Sequence, residues 1–95
     1  MKASKKLQKV RQLLIDKGWC KGITKNGAGE HCVWGAINEV NKYSGNFEVA
    51  PLLQYVIDED LVAIWNDAAD DFSEILEGLD QATSLAMSEE AIEND

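Results

Sequence analysis

Proline occurs once, histidine once and cysteine twice in this chain of 95 residues, and no lysine, arginine or histidine follows Lys42. One proline excludes polyproline segments and Pro-rich linkers. Two cysteines are too few for a disulfide scaffold. No stretch approaches the roughly 18 apolar residues of a membrane span. The basic start Met1-Lys2-Ala3-Ser4-Lys5-Lys6 lacks the uncharged apolar run that follows in a signal peptide. These absences point to a cytoplasmic protein with no membrane role. What is present, 45% apolar and 27% charged residues, is the balance of a folded domain, and the length allows one modest core.

The net charge of −8 is split along the chain. Residues 1–25 carry eight Lys or Arg against Asp16 alone, whereas residues 26–95 carry Lys42 against sixteen Asp or Glu. Most of the surface should repel nucleic-acid phosphates, whose binding needs a positive footprint, and should attract basic surfaces. Such surfaces abound on proteins that handle DNA or RNA, so an acidic module is suited to occupy one in place of the phosphates. The plainer reading is that the charge only keeps the protein soluble.

Ala3, Leu7, Val10 and Leu14 recur at helical spacing, with Leu13 widening the stripe, and predict a helix over 3–17 that stops at Gly18. Lys2, Lys5, Lys6, Lys9 and Arg11 are expected mainly on its other faces. Five glycines from Gly18 to Gly35 exclude a regular helix there. With the turn signal Asn26-Gly27, the stretch reads as an ordered glycine-rich loop or a small β-hairpin. Val33, Ala36, Ile37 and Val40 predict a second helix ending near Gly45. Pro51 suits the first turn of a third, which carries Leu52, Leu53, Val56 and Ile57. Asp58, Glu59 and Asp60 are unfavourable at a helix C-terminus, so they mark a break before a short helix bearing Leu61, Ile64 and Trp65 and ending at Asn66-Asp67. Asp71 as N-cap, with Glu74 three residues on, opens the last helix. Its stripe is Phe72, Ile75, Leu76, Leu79, Ala82 and Ala86, with Glu74, Glu77 and Asp80 outward. From Ser88 onward four acids stand against one large apolar residue. That predicts a frayed acidic tail, 88–95, after a single domain of residues 1–87. The expected fold class is mainly α, a small bundle of four to five short helices with the loop or hairpin inserted after the first.

Cys20, His31 and Cys32 are the residues best able to carry chemistry. As zinc ligands they depart from the Cys-x₂₋₄-Cys knuckle and no second pair completes the set, so neither metal nor cofactor is expected. As a Cys–His dyad they lack a signalled pocket or oxyanion site. The blander reading is two small buried thiols near Trp19 and Trp34, and a surface histidine in a loop. A disulfide across the loop is geometrically conceivable, though a reducing cytoplasm disfavours it. Gly27-Ala28-Gly29 lacks the Gly-Lys-Ser/Thr of a phosphate loop. The pairs Asp58/Asp60 and Asp70/Asp71 lack EF-hand spacing. Trp19 and Trp65 read as core, while Trp34 reads as core or as an anchor on a binding surface.

Leu14-Ile15-Asp16-Lys17-Gly18-Trp19-Cys20-Lys21-Gly22, then Cys32-Val33-Trp34-Gly35-Ala36-Ile37, then Ile64-Trp65-Asn66-Asp67 before Phe72-Ser73-Glu74-Ile75-Leu76, resemble an uncharacterised family of small bacterial and phage proteins. The resemblance implies no activity. It implies that Gly18, Trp19, Cys20, Cys32, Gly35, Trp65 and Asn66 go together as one structural motif. The chain departs from that family in Trp34, where an aliphatic residue is usual, and in its acidic tail.

The function expected is a non-enzymatic acidic protein-interaction module, in one version an inhibitor that occupies a basic nucleic-acid-binding site on a host or defence protein. Its contact residues are Asp58, Glu59, Asp60, Asp67, Asp70, Asp71, Glu74, Glu77 and Trp34, and its partner is a protein with a basic surface. Two alternatives stand beside it. One is a small Cys/His-based enzyme or metal module centred on Cys20, His31 and Cys32; the other is a nucleic-acid binder through Lys2, Lys5, Lys6, Lys9 and Arg11. Pairing of exposed stripes into a homodimer stays open.

Overall fold

The apolar stripe of the first segment becomes the buried face of α1 (Ala3–Lys17), where Leu7, Val10 and Leu14 lose all contact with solvent. The computed structural model describes residues 2–44, 49–57 and 61–93. Within them α2 (Val33–Ser44), α3 (Val49–Ile57), α4 (Val62–Ala68) and α5 (Phe72–Glu93) complete a small all-α bundle. The expected break at Asp58, Glu59 and Asp60 lies outside the described residues. Between α1 and α2 the described chain makes only isolated bridges, Trp19 with His31 and Lys25 with His31, so the insertion is a loop and not a hairpin.

α1 rests mainly on α5 and α2, α3 packs on α5, and α4 touches α2 and α3. Their inner faces meet in one core, in which Leu7, Leu14, Ile37, Leu53, Ile75 and Leu79 are the largest apolar members. Each such side chain contributes about 1.5–3 kcal/mol when fully buried. Gly78 leaves the space that Trp65 fills: a Cβ there would stand 2.5 Å from Cζ2 of the indole.

Three features differ from the sequence-based expectation. Lys6 is 0% exposed rather than on an outer face. It lies three residues after Ala3 and four before Val10, at the border of the buried stripe, where an aliphatic stem can be covered. In α4 the inward residues are Val62 and Asn66, while Leu61 and Ile64 stand 57% and 51% exposed. The third difference is at the C-terminal end, where α5 continues to Glu93, past Ser88. There Glu90 reaches back to the start of α1, its Oε1 accepting from Ser4 N–H at 3.1 Å and its Oε2 from Ser4 Oγ at 2.6 Å. The first N–H groups of a helix have no partner within it, and a carboxylate there also answers the dipole.

Those two bonds hold the Glu90 carboxyl below the usual glutamate range, the Ser4 hydroxyl being the larger cause and its N–H the second. A carboxyl whose folded-state pKa is depressed contributes stability above its unfolded pKa and loses it as pH falls through the folded one. Glu90→Gln is therefore expected to lower the melting temperature near neutrality, with the deficit vanishing as pH drops below the ordinary glutamate range. Melting curves of the two proteins across acid pH check this; a deficit independent of pH contradicts it.

Candidate functional site

Asn66 joins α4 to the loop between α1 and α2 and to the first turn of α2. α4 turns this side chain, 0% exposed, into the loop that joins α1 to α2. Its Oδ1 accepts from the Trp19 indole N–H at 2.7 Å and from Val33 N–H at 2.9 Å. Its Nδ2 donates to Cys20 O at 3.1 Å and to Asp67 Oδ1 at 3.1 Å. One amide thus ties the end of α1, the loop and the first turn of α2 to α4, and Val33 N–H is one of the helix-initial donors that need an outside acceptor. Asp67 extends the clamp by accepting from Gly22 N–H at 3.0 Å. Lys21 donates its ammonium to Ala69 O and lies over the Trp19 ring, 5.5 Å from its centroid. Phe72, the first residue of α5, stacks on Trp19 with 5.8 Å between ring centroids.

The loop closes on itself around Asn26. Its Oδ1 accepts from Ala28 and Glu30 N–H, both at 3.0 Å, and its own N–H donates to Glu30 O at 3.0 Å. Gly18 ends α1 at φ +99°, a conformation that L side chains rarely adopt, and donates to Leu14 O at 2.9 Å. Gly35 sits in the first turn of α2 against the Thr24 carbonyl, which also accepts from Cys32 N–H at 3.2 Å. Hydrogen bonds therefore gather Gly18, Trp19, Cys20 and Cys32 in the loop around the amide of Asn66, with Gly35 against Thr24, whereas Trp65 packs over Gly78 of α5. Residue patterning placed Asn66 at the end of a helix, the resemblance alone grouped it with the loop residues, and neither gave a reason for Thr24.

This clamp presents the acidic stretch that begins at Asp67. Asp67, Asp70, Asp71, Glu74 and Glu77 are all exposed. Two of them also build the start of α5: Asp71 Oδ1 accepts from Glu74 N–H at 3.2 Å and from Ser73 Oγ, while Glu74 Oε2 accepts from Asp70 N–H at 3.2 Å. This is a capping box displaced by one residue on its return arm. The Ser73 hydroxyl first, then the Glu74 N–H, hold the Asp71 carboxyl below its usual range. Gly22 N–H first, then the Asn66 amide, with Lys21 adding, do the same for Asp67. Both stay ionised. The Asp70 and Glu77 carboxylates have no partner among the described residues. A shallow groove of about 560 Å³ runs along α5 beside Ser73, Leu76, Glu77, Asp80, Gln81 and Ser84. Asp80, at its edge, is paired with Arg11 Nε at 3.0 Å. Asp58, Glu59 and Asp60 lie outside the described residues. Trp34 stands 38% exposed in the first turn of α2.

Cys20, His31 and Cys32 are neighbours but do not converge on a ligand. Among the described residues no three His, Cys, Asp or Glu side chains are grouped to hold a metal ion. His31 is buried rather than on the surface, and neither ring nitrogen has a hydrogen-bond partner among the described residues, so Cys20 and His31 make no dyad. The reason is register: His31 pairs with Trp19, not Cys20, so the two side chains leave opposite faces. The Cys20 thiol instead donates to Glu30 O at 3.4 Å and Ile23 O at 3.5 Å. Burial first, then Cys32 and Glu30, push it above the usual thiol range, away from a reactive thiolate.

A family model matches residues 1–85, a span that takes in the whole clamp and the acidic stretch. The chain belongs to DUF6197, a family of unknown function. The part of this DUF6197 chain beyond that match includes Glu89 and Glu90, so the tie between Glu90 and Ser4 has only one partner inside the matched residues. No curated protein and no solved structure matches the chain significantly. No helix among the described residues is long and apolar enough to cross a membrane.

Proposed function

We propose that this protein is a non-catalytic interaction module whose Asp67–Glu77 stretch engages a basic surface on a partner protein. One observation carries the reading. Five exposed carboxylates are gathered in eleven residues, Asp67 tied to Asn66 and Asp71 and Glu74 to the start of α5, and α3, α4 and α5 contain no cationic side chain. The finer version is occupancy of a basic nucleic-acid-binding site, the carboxylates standing where phosphates would lie. The rival built on α1 is weakened because Lys6 is buried and Arg11 is committed to Asp80, leaving Lys2, Lys5 and Lys9 exposed.

The test uses the two carboxylates that hold nothing together. Asp70→Asn with Glu77→Gln should weaken binding of a polylysine probe at low ionic strength several-fold, with melting unchanged. A control of equal charge, Asp16→Asn with Glu39→Gln, should weaken it much less. Equal losses in the two pairs would mean that the negative charge acts only in bulk, and the reading would fall. Competition between the protein and DNA for a basic DNA-binding protein then reads the finer version.

A further inference from the structure

We propose that Cys20 and Cys32 are a thiol pair that closes to a disulfide across the foot of the 21–31 loop when a low-molecular-weight disulfide is supplied. The geometry comes from the backbone. His31 N–H donates to Gly18 O at 3.0 Å and Cys20 N–H to His31 O at 2.9 Å, the two bonds that set Trp19 beside His31 in parallel register. Cys20 and Cys32 are the next residue on each segment, so their side chains leave one common face, opposite to that of Trp19 and His31. Segments paired in this way lie about 4.7–4.9 Å apart, within the roughly 4.4–6.8 Å between Cα atoms that a disulfide spans. Neither thiol is bridged: Cys20 is partly accessible, and Cys32 is buried with its Sγ accepting from Gly35 N–H at 3.3 Å. Cys32 lies close enough to act on Cys20, being the second cause, after burial, that raises it.

The chemistry balances as two exchanges. Cys20, the accessible thiol, attacks one sulfur of the reagent as its thiolate and expels the first thiolate; Cys32 then attacks Cys20 Sγ and expels the second. The protein gives up two protons and two electrons, and the reagent takes them as two thiols. Because its surroundings keep Cys20 protonated, closure is slow near neutrality and faster as pH rises. The new bond spans the loop that Asn66 now holds by hydrogen bonds alone, so it is a covalent substitute for that clamp. It does not depend on the acidic-surface reading.

The purified protein, treated with excess oxidised glutathione at mildly alkaline pH, should become a monomer lighter by two hydrogen atoms, with no titratable thiol. Its melting temperature should rise by about 10 °C, and a dithiol reductant should reverse all three changes. Asn66→Ala should lower the melting temperature less in the oxidised protein than in the reduced one. Stable glutathione adducts, a disulfide-linked dimer, or two thiols that persist when the urea-unfolded chain closes would each overturn the proposal. So would an equal melting rise in Cys20→Ser, which cannot close the ring.

Discussion

Asn66→Ala is expected to cost about 3–5 kcal/mol of folding stability, a large part of the roughly 5–15 kcal/mol that holds a domain of this kind together. The side chain is fully buried and makes four hydrogen bonds. Truncation strands the Trp19 indole N–H, the Val33 N–H and the Cys20 carbonyl, and an unsatisfied buried group costs about 1–3 kcal/mol. Asn66→Asp is a stricter probe of the same geometry. It keeps acceptors for Trp19 and Val33, but it turns the donor that faces Cys20 O and Asp67 Oδ1 into a second charged oxygen. It should therefore be destabilising at neutral pH and less so in acid, as the carboxyl protonates. Urea unfolding of the three proteins decides the matter; a loss under about 1 kcal/mol for the alanine variant would show that water replaces the amide.

Gly35→Ala should be nearly as damaging, at about 2–4 kcal/mol. Alanine is ordinarily favoured over glycine in a helix by about 1 kcal/mol, so the sign itself is diagnostic. The new methyl would stand on the Thr24 carbonyl, which is backbone and cannot rotate away. Retreat of the loop would break the 3.2 Å bond from Cys32 N–H to that carbonyl. Gly27→Ala is the matched control, since a Cβ there meets nothing within 4 Å, and it should stay within about 0.5 kcal/mol of the parent. Because Gly35 and Asn66 secure the same loop, the double variant should lose less than the sum of the two single losses. Strict additivity would mean that the loop is not one cooperative unit.

Much of the helical layout was readable without coordinates. The stripe Ala3, Leu7, Val10, Leu14 and the stripe Ile75, Leu79, Ala82, Ala86 are both buried as their spacing requires. Asp71 and Glu74 open α5 as their separation suggests. Such features are local: an i, i+3, i+4 pattern or a cap depends on residues within one or two turns. The misplaced residues fail where local pattern and distant partner disagree. In α4 the apolar spacing of Leu61 and Ile64 argued for an inward face, yet Asn66 took it because Trp19, Cys20 and Val33 needed its two polar atoms. Ser88 onward looked too acidic to stay helical, yet Glu90 finds Ser4 at the far end of α1.

By itself, then, the order of residues determined where α1 and α5 start, where α1 stops, which faces of those two helices are apolar, and that positive charge ends at Lys42. Tertiary structure alone decided that Asn66 is swallowed with all four of its bonds made, why Gly35 admits no side chain, and that Lys6 lies covered while Asp70 and Glu77 stand free among the described residues. The physical reason is range. Backbone periodicity is set by neighbours a few ångströms along the chain, whereas a buried amide or a close carbonyl is settled by partners more than forty residues away for Asn66 and Trp19, and eleven away for Thr24 and Gly35.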